Sequence, residues 1–205
     1  LMCVLAVFSL YIKFNNNSTL QEYIIDSKVS ADDGGSNTNS STSSNADEND
    51  YAVSSSTAEA LVQYRSGTDK IVQDLLVRLN NKETISPEEI KANFDKAIAL
   101  ADQSIAAANI PYSNITKGRV FESFTLFTAS NDIKSQFLQS ALSYYLVALN
   151  QDSKDAENYA TVARLYAMVP AEKDKAVAAI TKAIELSQSD DQVKLYTKIL
   201  ETLTK

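Results

Sequence analysis

The chain has no histidine, no tryptophan, one cysteine, three prolines and four glycines in 205 residues. Without histidine there is no imidazole to act as general base, and none of the triads that need one. A single cysteine, Cys3, permits neither a disulfide framework nor a zinc cluster. Scarce glycine argues against a phosphate-cradling loop: "SGTDK" around Gly67 and "TKGR" around Gly118 lack both the motif and a flanking strand. Basic residues are also in short supply. The net charge is −7, and residues 26–56 hold six acids (Asp26, Asp32, Asp33, Asp47, Glu48, Asp50) against Lys28. Lys13 and Glu22 cancel, so residues 57–205 carry only −2. With no basic cluster interleaved with aromatics, nucleic acid is not an expected partner, because neutralising phosphates needs a basic face.

What is present falls into three zones. Residues 1–14, "LMCVLAVFSLYIKF", are apolar until Lys13. A spanning helix needs about 20 such residues. The run begins abruptly and reads as the C-terminal half of a transmembrane helix, with Tyr11 and Lys13 at the interface. A signal-peptide core has this length, but no small-x-small cleavage pattern follows. A lipoprotein anchor would place the apolar run before Cys3, not after it. Cys3 is then a small apolar residue in lipid.

Residues 15–56 form the second zone. "STLQEYIIDSKV" reads either as an amphipathic helix on the membrane surface, with Leu20, Tyr23 and Ile24 on one side, or as a continuation of the spanning helix. Asp26–Ser56 is low-complexity and too polar to offset the entropy of ordering it, so a disordered linker is expected. Its root-mean-square span is roughly 30 Å. The Ser/Asn-rich, lysine-poor linker leans towards an extracytoplasmic helical domain. Asn16, Asn17, Asn39 and Asn114 match N-x-S/T, which arises by chance in such sequence.

Residues 57–205 carry a helical apolar period throughout, so the fold class is all-α. Capping boxes are read at Ser56–Glu59, Ser86–Glu89 and Ser189–Gln192, the second flanked by Ile85 and Ile90 as a hydrophobic staple. The acid pairs Glu88–Glu89 and Asp190–Asp191 belong to those first turns rather than to catalysis. Helices are expected at Thr57–Asn80, Pro87–Ala108, Ile115–Ala129, Ile133–Asn150, Ala156–Met168, Ala171–Ser187 and Asp190–Thr204. The first presents Leu61, Tyr64, Thr68, Val72, Leu75 and Leu79 as one stripe, and Gly67 is where it could break. "NIPY" (Asn109–Tyr112) separates the second helix from the third.

Two stretches, Ser140–Tyr159 and Lys175–Tyr196, share a spacing: Ala141, Tyr145, Ala148 in one and Ala176, Ile180, Ala183 in the other, 35 residues apart. Positions i, i+4 and i+7 share a helix face. Small residues at the first and third let a neighbour approach, and a large one between them fills the space. Tyr159, Val162, Ala163 and Tyr166 supply the facing surface. This pattern resembles the tetratricopeptide repeat, matched in order by Tyr159, Val162–Ala163, Tyr166, Ala176, Ile180 and Ala183. The preceding unit matches in its second helix only. Ser153 and Gln188 stand where the family closes each repeat with Pro, and the turn "MVPAEKDK" is one residue longer than a 34-residue repeat allows. "FDKAIAL" (Phe94, Ala97, Ile98) looks like a degraded copy. The resemblance implies an antiparallel helix-hairpin solenoid, with its best repeats over 133–196 and a capping helix at 190–204. It also implies a partner-binding groove lined by Glu157, Ala160, Arg164 and Ala167 of the first helix.

Other chemistry is sparse. Asp95, Asp102 and Glu122 have loose metal-carboxylate spacing, but without histidine the ligand set is incomplete. Aromatics such as Tyr144 and Tyr145 read as packing. The sequence therefore predicts no catalytic, cofactor or metal site. It predicts a non-catalytic, membrane-tethered module for a protein or peptide partner, anchored through residues 1–14. A rival reading comes from "KAIALADQSIAAANIPYS" (96–113), which is similar to the C-terminal tails of some polytopic bacterial polysaccharide ligases and polymerases of the O-antigen ligase type. The chain would then be the tail of such a protein, with the activity elsewhere. A small-molecule site in the helical cup has no polar cluster to support it.

Overall fold

A computed structural model describes residues 53–205. The apolar run 1–14 and nearly all of the linker lie outside the described residues, as do Asn16, Asn17 and Asn39. The chain divides into Leu1–Ala60 and Leu61–Lys205; of the first unit only 53–60, which opens the first helix, is described.

The described residues are all-α, with seven helices and no strand among them: α1 Ser55–Asn80, α2 Pro87–Ala107, α3 Pro111–Phe124, α4 Asn131–Gln151, α5 Ala156–Ala167, α6 Lys173–Leu186 and α7 Asp190–Leu203. Short 3-10 turns follow α3 (Thr125–Phe127) and precede α6 (Pro170–Glu172). Among the described residues no helix is long and apolar enough to cross a membrane.

Local chemistry sets the helix starts. Ser86 accepts from Glu89 N and Ser189 from Gln192 N, as the sequence predicts. The cap ahead of α1 is Ser54, which accepts from Thr57 N, and not Ser56, which lies within the helix. Ser130 and Asp155 cap α4 and α5 through Ile133 N and Asn158 N. α3 begins at Pro111, four residues earlier than expected. Pro111 does not separate the helices; it stands at the first helical position, where the missing N–H costs nothing. The link from α2 is only three residues, closed by Ser113 Oγ donating to Ala108 O at 2.6 Å. Gly67 does not interrupt α1. It is where Leu100 of α2 comes close: a Cβ there would lie 2.9 Å from Leu100 Cδ1. The buried row of α1 is Leu61, Arg65, Thr68, Val72 and Leu75; Tyr64 is half-buried and Leu79 is 46% exposed.

From α2 onward each helix packs on the next, most extensively α3 on α4 and α5 on α6. Two apolar clusters result. One joins α1, α2 and α3 through Val72, Leu75, Ala97, Ala101, Val120 and Phe124. Ile85 and Ile90, the predicted staple, both pack against it. The other joins α4 to α7 through Tyr145, Val162, Leu165, Ile180 and Tyr196. Rings of Phe94, Phe121, Phe137 and Tyr144 link α2, α3 and α4, with centroids 4.9–6.0 Å apart. The residues that carry the 35-residue spacing and its facing surface are mostly buried. Ala141, Tyr145, Ala148, Val162, Ala163, Ala176, Ile180 and Ala183 are buried, and Tyr159 and Tyr166 are half-buried against the second cluster.

Candidate functional site

On α5, Glu157, Ala160, Arg164 and Ala167 recur every three or four residues and so share a side of the helix. Their exposure is graded: Glu157, Ala160 and Arg164 are half-buried and Ala167 is exposed. Ala160 packs against the second cluster. Arg164 is engaged, with Nη2 2.6 Å from Glu122 Oε1 of α3. Glu122 is itself buried, at 5% exposure, and its other oxygen accepts from the Tyr145 hydroxyl of α4 at 3.1 Å. A buried carboxylate is tolerable only when paired and hydrogen-bonded, and both conditions hold here.

The charges continue onto α1. Arg119, three residues before Glu122, reaches Asp69 at 3.2 Å. Arg65, one turn before Asp69, is buried with its guanidinium 4.8 Å over the Tyr112 ring. Burial raises the Tyr112 hydroxyl above its ordinary pKa, with Arg65 opposing. Burial also raises the Glu157 carboxyl. The Asp155 charge adds to this, while Arg65 and Arg119 pull it back. α1, α3 and α5 thus carry an alternating series of guanidinium and carboxylate groups with little net charge.

A lysine is held between α2, α3 and α4. Lys117 pairs with Asp102 and lies 4.7 Å over the Tyr144 ring. Burial works against its charge, but hydrogen bonds to Asp102 and Tyr144 outweigh that and keep the ammonium above its ordinary pKa. Tyr144 is therefore half-buried and stacked on Phe121 rather than free.

The three carboxylates with metal-like spacing do not meet. Asp95 pairs with Lys91, Asp102 with Lys117 and Glu122 with Arg164. Among the described residues no group of three or more side chains comes together that could hold a metal ion. The sequon at Asn114 is closed off: the amide is 3% exposed and donates to Asn109 Oδ1 and Gln151 Oε1 at 2.8 and 2.9 Å.

Sequence reasoning missed Arg119, Asp69 and Arg65, and weighed Glu122 only as a loosely spaced metal carboxylate. The signal for Glu122 as an ion-pair residue was a charge inside the aromatic-rich stretch "RVFESF", and its partner lies 42 residues away. No protein-family model matches the chain, and no characterised protein is significantly similar to it in sequence. What the α5 face offers chemically is one oriented guanidinium between two small residues.

Proposed function

We propose that residues 57–205 are a tetratricopeptide-like module that holds a protein or peptide partner and performs no chemistry, tethered to a membrane through residues 1–14 on the extracytoplasmic side. The observation that carries this reading is the burial of both small–large–small rows, with Ala141, Tyr145, Ala148, Ala176, Ile180 and Ala183 at 0–1% exposure. Such rows bring helices close, and hairpins built this way stack into an antiparallel solenoid. α7 suits a terminal cap: Tyr196 is buried, while Lys194, Lys198 and Glu201 are exposed. On α5, the exposed Ala167 leaves room for a partner chain beside Arg164. Arginine is favoured at binding hot spots, and one already oriented loses less freedom on binding. The likeness of residues 96–113 to envelope-ligase tails favours a second reading, in which the same module ends a larger membrane protein.

The test is site-specific photocrosslinking in native membranes. A photoreactive residue at Ala167 or Glu157 should give an adduct of one defined mass. The same residue at Gln139 of α4 or Ala178 of α6, both exposed, should give none. Equal adducts from all four positions, or none from any, would overturn the reading.

A further inference from the structure

The four helices α3 to α6 form two hairpins joined unevenly. α3 lies along α4 and α5 along α6 far more extensively than α4 meets α5. Specific polar groups cross that thinner joint. Arg164 of α5 reaches Glu122 of α3 at 2.6 Å, and the Tyr145 hydroxyl of α4 fixes the same carboxylate at 3.1 Å. From the other side, Asn158 Nδ2 of α5 donates to Tyr145 O at 3.2 Å. The Tyr145 ring lies close against α3 at Gly118, where an added Cβ would come within 3.2 Å of its Cε2. Apolar contacts tolerate small sliding motions. A buried ion pair does not, and its net worth to stability is small, so its value lies in the geometry it demands.

We propose that Glu122, Arg164 and Tyr145 form a latch that sets the angle between the α3–α4 and α5–α6 hairpins, and that the joint pivots about α4 and α5 when the latch opens. The latch lies beside Arg119 on one hairpin and Ala160 on the other, so opening it changes the spacing of the α3 and α5 faces. This holds whichever partner, if any, binds there.

The experiment measures the joint directly. In the full chain with Cys3→Ser, spin labels go on cysteines introduced at Gln139 and Ala178, one per hairpin, and electron–electron double resonance reads their separation. The parent should give one narrow distribution. Glu122→Leu with Arg164→Met replaces the pair by apolar groups of similar size. It should keep the melting temperature near the parent value while at least roughly doubling the width of the distribution. A folded double variant with an unchanged distribution overturns the latch. Should that variant fail to fold, Tyr145→Phe decides: broadening supports the latch, and the parent width overturns it.

Discussion

At the scale of single residues the molecule holds several charges at a cost. Asp155 caps α5 by accepting from Asn158 N at 2.9 Å, yet burial, aided by the Asp152 charge, raises its carboxyl above the ordinary range. Glu157 is raised in the same direction, again chiefly by burial. A carboxyl whose folded pKa is raised binds its proton more tightly in the folded state. Its contribution to stability is present below the unfolded pKa and lost as pH rises through the folded value. Asn at the N-cap keeps the acceptor oxygen without the charge and caps about as well. Asp155→Asn should therefore flatten the dependence of melting temperature on pH across roughly pH 4 to 7, just above the ordinary carboxylate range. Calorimetry at several pH values checks this; an unchanged slope would show that Asp155 is not the group responsible.

At the scale of elements, helix ends are set by bonding that sequence patterns report unevenly. α1 closes with Glu83 N bonded to Arg78 O and Lys82 N to Leu79 O, which is a Schellman closure. Its left-handed position, usually glycine, is Lys82 at φ 60°. A non-glycine residue there is strained by about 1–2 kcal/mol. Lys82→Gly should raise the melting temperature by a few degrees, since about 1 kcal/mol is worth roughly 4 °C in a domain of this size. A fall on differential scanning would mean that the side chain contributes more than the strain costs. The same closure shows why boundaries were only partly legible. Ser86 and Ser189 announce caps through the acids that follow them. Ser54, Ser130 and Asp155 cap as well, but none has the Glu or Gln three residues on that marks Ser86 and Ser189. Pro111 was misplaced because proline marks both breaks and first turns; the buried residues after it, Tyr112 to Asn114, decide for a first turn.

At the scale of the whole molecule, the all-α class and the buried faces of α4 and α6 were legible because they follow from helical period alone. The charge series was not, because Arg65, Arg119, Glu122 and Arg164 become neighbours only when helices from distant parts of the chain pack. The same distinction bears on how the chain unfolds. The cluster of α1 to α3 and the cluster of α4 to α7 have separate cores, bridged chiefly by α3 on α4. When stability is a sum of units and their interfaces, damage to one unit need not melt the next. Ala148 and Ala176 are fully buried, so Ala148→Arg overpacks the core and Ala176→Asp buries a charge in it. Each should cost more than about 1–3 kcal/mol. Ala148 lies in α4, against which α3 packs, whereas Ala176 lies in α6, away from that seam. Ala176→Asp should therefore strip amide-exchange protection from α5, α6 and α7 while the amides of Ala97 to Ser104 in α2 stay protected. Ala148→Arg should lower protection in α3 as well. If both variants instead lose all seven helices together, the two clusters form one cooperative core; if neither lowers the melting temperature, the close helix approach that defines the repeat is not what holds these residues in place.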